Sequence, residues 1–164
     1  MIHFLMSIQQ SAFCQWVHSS PSLLAYPTIL LLHVFGMGMV VSVCAGVDLR
    51  ILGFAPAVPI APMAKFIRFV WIGFWMNAAT GTILVAADAV NKLTNLDFYV
   101  KMTLVALAVI TTRTIEKRIL QNPLADKEPL PTNAKVLAFT SLILWLGVMT
   151  SGRLLAYVGP GSGA

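Results

Sequence analysis

Four apolar stretches, each near the length that crosses a bilayer, constrain this chain more than any other feature. They run from about Leu23 to Val47, from Phe66 to Ala89, from Phe98 to about Ile115, and from Ala134 to Val158. A hydrocarbon core about 30 Å thick takes roughly 20 helical residues, and a helix satisfies its own backbone donors and acceptors where water is absent. In the third stretch Lys101 and Arg113 bound an uncharged run of 11 residues. It is still read as a span, because long basic side chains near helix ends snorkel to the interface.

Composition agrees with the bilayer as solvent. The 164 residues include 11 Lys and Arg and 6 Asp and Glu, so 10% are charged against 58% hydrophobic, and the mean hydropathy is +0.82. A soluble domain carries about 25% charged residues, and a water-exposed globule of this composition would leave large apolar patches bare. The expectation is an all-α fold of one domain over residues 1–164, an integral membrane four-helix bundle. The net charge of +5 does not point to nucleic acid, since the basic residues never run beyond Lys117-Arg118 and flank the spans instead. Cys14 and Cys44 lack the spacing of a zinc site or a disulfide framework. The first residues, Met1 to Ser7, have neither the basic start nor the continuous apolar core of a signal peptide. Cys14 follows Ser11-Ala12-Phe13, which lacks a lipoprotein cleavage pattern.

Met6 to His18 mixes Ile8, Phe13, Trp16 and Val17 with Gln9, Gln10, Ser11 and Gln15, and ends at Ser19-Ser20-Pro21. It reads as a short amphipathic helix lying at the interface. Pro56, Pro59 and Pro62 make residues 55–63 a loop, and Pro123, Pro129 and Pro131 with Asp126, Lys127 and Glu128 make residues 121–133 a solvated one. The Gly-rich residues 159–164 are expected to be a disordered tail. The segments flanking spans one to two and three to four hold eight Lys and Arg, against three (Lys92, Lys101, Arg153) on the other side. The positive-inside rule then puts both termini on the periplasmic side of a bacterial inner membrane.

His33 is the residue most informative about chemistry. It falls in Leu30-Leu31-Leu32-His33-Val34-Phe35-Gly36-Met37-Gly38, roughly 16 Å from the outer edge when counted from Ser22, near the midplane. An ionisable group there is a functional candidate. Three roles stay open for it: a neutral imidazole bonded to a neighbouring helix, a haem or metal ligand, and a proton-handling or substrate contact. Gly36 and Gly38 allow close approach of a helix or a flat cofactor. Met37 and Cys44 share broadly the same face as His33. Asn77, with Met76 beside it, falls at the depth of His33 on span two and needs a hydrogen-bond partner. Trp71 and Trp75 read as packing or interface anchors. Lys101 and Arg153 lie about four residues in from the outer ends of their spans, in one layer with Asp88 and Asp97. They either snorkel and pair, or neutralise the carboxylates of a porphyrin. Met76, Met37, Met102 and Met149 are the available second ligands for a haem iron, which is otherwise five-coordinate. Arg113 and Asp48-Leu49-Arg50 form a structural charge layer on the cytoplasmic side.

The His33-to-Gly38 segment, with Val47-Asp48-Leu49-Arg50-Ile51-Leu52-Gly53, resembles a group of small bacterial four-span membrane proteins grouped as a domain of unknown function. Phe98-Tyr99-Val100-Lys101-Met102 and Leu144-Trp145-Leu146-Gly147-Val148-Met149-Thr150-Ser151-Gly152-Arg153 share in the resemblance, which covers about residues 15 to 158. More remotely the chain is similar to the CopD copper-resistance membrane domain and to the HemJ-type protoporphyrinogen oxidase. The HemJ-type resemblance implies haem or porphyrin handling by a first-span histidine and a third-span lysine, which fall on His33 and Lys101; that family's further histidines have no counterpart here. The CopD resemblance implies copper passage.

The leading expectation is a membrane protein that binds b-type haem or a related porphyrin through His33, with Gly36, Met76, Asn77, Lys101 and Arg153 around it, and serves electron transfer as a redox subunit. One alternative is a non-catalytic accessory subunit, docking on other membrane subunits or on its own copies through small residues such as Gly147 and Ser151. Another is a copper-handling permease using His33, Met37 and Cys44.

Overall fold

The structure is a computed structural model that describes residue 6 and residues 9–20, 22, 24–122, 126 and 130–157. Helix α1 covers Ala12–Ser19, α2 Tyr26–Leu52, α3 Ile67–Ala87, α4 Ala89–Leu93, α5 Leu96–Ile115 and α6 Thr132–Tyr157. No strand occurs among the described residues. Four helical segments, Tyr26–Leu52, Ala61–Ala87, Leu96–Leu120 and Thr132–Arg153, are long and apolar enough to span a membrane. The chain is therefore an all-α bundle of four potential membrane spans.

Each boundary has a local cause. Pro27 in the first turn of α2 supplies no donor where none is needed. At its other end Gly53 takes a left-handed conformation, φ 107°, which lets its own N–H reach the Arg50 carbonyl at 3.1 Å and the Phe54 N–H reach Leu49 at 3.0 Å. The span thus continues past Val47 to Leu52, because Asp48 is taken into the bundle rather than left at its edge. Pro62 opens a 3-10 turn over Ala61–Phe66 that runs into α3, so the proline-marked loop is shorter than the sequence implies. Asn95 caps α5 by accepting the Asp97 N–H at 2.9 Å. Past Ile115 the chain widens into a π-helical turn, Glu116–Leu120, closed by Gln121 N–H to the Glu116 carbonyl at 3.0 Å. That turn buries Ile119 and Leu120.

Helix α2 packs on α3 and α6, and α5 packs on α6. Across the remaining side, the Arg113 guanidinium of α5 lies 3.8 Å from the ring centre of Trp71 on α3. The buried positions of α6, Ala134, Ala138, Ser141, Trp145, Val148 and Ser151, recur every three or four residues and define a single inward stripe. The other faces stay apolar as well. Leu31, Val34 and Phe35 of α2 and Ile110 of α5 are each more than half exposed. In water such a surface would be a large apolar patch; as a lipid-facing surface it costs nothing, and the bundle contacts the bilayer through it.

Met6 and Gln9 are helical, and helix α1 covers the later part of the interfacial segment read from residues 6–18. It begins after Ser11, whose hydroxyl accepts the Cys14 N–H, and buries Cys14 and Val17, the latter against Ile29 and Ala87. The tail at 159–164, together with Ile8, Lys127 and Glu128, lies outside the described residues.

The opposite end is tied by side chains that the sequence presents as ordinary loop charges. Asp126 accepts the Ile60 N–H at 2.6 Å and the Ala61 N–H at 3.0 Å, capping the 3-10 turn from the third loop. Arg50 donates to the carbonyls of Val58 and Pro56. The first and third connections therefore meet at one end of the bundle, called here the loop end, and α1 marks the other.

The two amide donors hold the Asp126 carboxyl below its usual range, with Arg50 adding to the effect. A depressed carboxylate favours the folded form above its ordinary value of about 3.9 and loses that contribution as pH falls through the lowered one. Amide exchange at Ile60 and Ala61 should therefore be slow at neutral pH in the native chain and fast in Asp126→Ala.

A Cβ on Gly36 would meet the Gly73 carbonyl oxygen at 2.8 Å, and one on Gly73 would meet the Gly36 oxygen at the same distance. Gly36→Ala should destabilise the bundle in detergent by about 1–3 kcal/mol, the usual cost of overpacking. Gly38→Ala, which faces open space, should stay within about 0.5 kcal/mol of the native stability in the same thermal melts.

Candidate functional site

The Gly36–Gly73 contact brings the backbones of α2 and α3 together, and one turn toward the α1 end this closeness serves His33. The histidine lies seven residues into a helix of 27, about 10 Å from its start. It therefore lies in the first third of that helix rather than at its midpoint. The difference arises because the helix opens at Tyr26, four residues after the Ser22 from which the sequence count started.

Three residues of α3 surround it. The Asn77 amide donates to the His33 backbone carbonyl at 2.7 Å. His33 is thus the partner expected for Asn77, but through its carbonyl and not through its ring. The ring Nδ1 instead meets Thr80 Oγ1 at 3.1 Å. Thr80 donates its one hydroxyl proton along its own helix, to the Met76 carbonyl at 2.7 Å, with Asn77 O at 3.2 Å as the lesser acceptor. Toward His33 it must then accept. The imidazole proton accordingly sits on Nδ1, and in the neutral ring Nε2 keeps its lone pair. Among the described residues no hydrogen bond reaches Nε2. Gly81 supplies the seat, since a Cβ there would lie 3.0 Å from the ring Cε1 and 3.4 Å from Nδ1.

Lys101 approaches from α5. Its ammonium lies within electrostatic reach of His33 and reaches α6 beside Gly152, where a Cβ would sit 3.5 Å from Nζ. No carboxylate lies within ion-pair distance of it among the described residues. Asp88, expected in the same layer, is taken by Lys92 at 3.9 Å and by the Asn91 amide at 2.8 Å. Arg153 follows Gly152 in sequence, but its side chain is exposed. Only the lysine of the anticipated pair is drawn inward.

Other residues singled out in the sequence have packing roles. Gly36 is filled by the Gly73 backbone and by the Met76 methyl, which a Cβ at Gly36 would meet at 3.3 Å. That face has no room for a flat cofactor, and Gly36 and Met76 leave the candidate set as helix-packing residues. Met102 and Met149 are nearly half exposed on the outside of the bundle, whereas Met37 packs against the core. Cys44 is committed to Thr112 at 3.8 Å. It lies eleven residues from His33 along α2, about 16 Å of helix, so the two cannot ligate one ion. No group of three or more His, Cys, Asp or Glu side chains converges among the described residues. Gly147 faces Leu104 of α5, and the Ser151 hydroxyl bonds the Val148 carbonyl at 3.1 Å. Both contacts lie inside the bundle.

Thr80 escaped the sequence reading. Its signal was available: a third small or polar position on the face of Asn77 and Gly81 in an otherwise apolar helix. A cleft of about 480 Å³ between residues before α1 and the α3–α4 junction, lined by Gln9, Gln10, Gln15 and Asn91 among others, lies apart from His33.

Comparison of the chain with models of protein families, with curated proteins and with solved structures yields no match.

The ring geometry is open to direct measurement. Nitrogen-15 NMR of the His33 imidazole should report a proton on Nδ1 in the native chain. Thr80→Val should cost about 1–3 kcal/mol for the lost polar partner and release the tautomer to a mixture, while Gly81→Ala should displace the ring and shift its resonances without removing the acceptor.

Proposed function

We propose that this chain binds b-type haem or a related porphyrin through His33 and serves electron transfer as a redox subunit of the bacterial inner membrane. The observation that carries the proposal is the Thr80 hydrogen bond, which orients the imidazole and leaves the Nε2 lone pair without a hydrogen bond among the described residues. Histidines that ligate metals nearly always give their other N–H to such a partner, which fixes the ring and raises its basicity. Lys101, an inward cation with no carboxylate within ion-pair distance among the described residues, suits an anionic group of the same ligand. The HemJ-type resemblance carries porphyrin handling to these same two positions.

The residues supply one imidazole nitrogen as a ligand. His33 would hold the iron, Lys101 would neutralise a ring carboxylate, and Asn77 keeps the backbone at His33 in register with α3. When bound, such a group supplies reversible one-electron chemistry. The residues around it exclude water on the side of the Gly36–Gly73 seam, and Thr80 holds the Nδ1 proton in place. The excess of Lys and Arg at the loop end supports its assignment to the cytoplasm, with the α1 end and both termini periplasmic. Electron exchange then takes place with a membrane partner.

The visible spectrum of the detergent-purified chain, as isolated or after haem titration, tests the proposal. A Soret band is expected, lost in His33→Ala. Loss of a charge-assisted contact in Lys101→Met should weaken binding about 10- to 100-fold. A protein that stays colourless with haem supplied, or haem uptake indifferent to His33→Ala, sinks it.

A further inference from the structure

Nearer the loop end the bundle holds a second polar centre, separate from His33 and unused by the proposed electron transfer. Asp48 of α2 is 1% exposed, and its Oδ2 has no hydrogen-bond partner among the described residues. The Ser141 hydroxyl of α6, equally buried, lies beside the same carboxyl. Beside them is a cavity of about 10 Å³ whose lining includes Cys44, Asp48, Thr112 and Ser141. That is space for a single water.

The neighbouring groups decide what the carboxyl can hold. Thr112 is saturated: it donates to the Ala108 carbonyl at 2.8 Å and accepts the Trp145 indole N–H at 3.2 Å, with Cys44 Sγ at 3.8 Å. The charged side chains of the surrounding elements point elsewhere. Arg50 is turned to the Val58 and Pro56 carbonyls. Arg113 lies over Trp71 and pairs with Glu116. Lys65, Arg68 and Lys135 are exposed, and none of these cations pairs with Asp48. Cys44 is the other titratable group in the cluster. An ionised carboxylate needs a cation or several donors when it is buried, and a single hydroxyl does not meet that need. A neutral carboxyl suits the surroundings, its carbonyl oxygen accepting from Ser141 and its O–H directed into the cavity.

We propose that Asp48, Ser141 and the adjoining cavity form an intramembrane proton-binding site, in which Oδ2 holds one proton and donates it to one enclosed water. The proton adds to an oxygen lone pair, and no other covalent bond changes. It arrives from water at the loop end, where α2 finishes four residues beyond Asp48, about 6 Å along the helix axis.

Infrared spectroscopy of the whole chain at neutral pH, in H₂O and in D₂O, tests the site without any cofactor. The expected result is a protonated-carboxyl carbonyl band that moves down in D₂O while the protein stays folded, and that disappears in Asp48→Asn. Ser141→Ala should shift the band to higher frequency, because the carbonyl loses its donor. If Asp48→Asn does not fold, the solvent-isotope shift and the Ser141→Ala shift decide the matter. Absence of the band at neutral pH, or its survival in Asp48→Asn, overturns the proposal. Carboxylate bands that respond to added sodium also overturn it, by putting a cation where the proton is placed.

Discussion

The close approach of α2 and α3 at Gly36 and Gly73 is the contact on which the rest of the molecule depends. Neither position tolerates a Cβ without meeting the other's carbonyl oxygen. Two helices of ordinary apolar residues pack with axes 8–10 Å apart, and side chains as short as asparagine and threonine span little of that distance. With glycine on both sides, Asn77 reaches the His33 carbonyl and Thr80 reaches its ring. In lipid this matters more than in water, because apolar side chains gain little from leaving hydrocarbon and helix association relies on packing and hydrogen bonds.

Polar side chains in the spans follow one economy. Thr82, Thr103, Thr111, Thr114, Thr140 and Thr150 each return their hydroxyl proton to a carbonyl of their own helix and make no bond to another among the described residues. Thr80 and Thr112 do the same and also accept across a helix interface, one facing an imidazole and the other an indole. These two threonines mark the polar centres, one toward the α1 end and one toward the loop end. Their donor is already spent, so each acts on its partner as an acceptor, and that sets which atom of His33 carries hydrogen.

Much of the architecture was legible from residue order. The four spans fall within a few residues of the stretches between prolines and charges. Their ends moved where a local device overrode composition: Gly53 extended α2, Pro62 started a turn instead of breaking one, and a π-helical turn prolonged α5. The candidate site was legible only in part. His33, Asn77 and Lys101 come together, but Gly36 and Met76 serve packing and Arg153 stays outside. Gly36 illustrates the difficulty, for an absent side chain permits a helix or a cofactor equally, and only the neighbour shows which one arrived.

Residue order alone determined the solvent and the number of spans, because hydropathy and length are properties of single segments and need no partner to be read. It also singled out His33, since an ionisable group in an apolar run is unusual wherever its neighbours lie. Tertiary structure decided the rest, for pairing depends on residues far apart in the chain. Thr80 orients a ring 47 positions away. Asp126 caps a turn from another loop. Asp48, which the sequence places in a charge layer at the end of a span, lies inside the bundle with one hydroxyl beside it, because α2 runs on to Gly53 and α6 brings Ser141 to meet it.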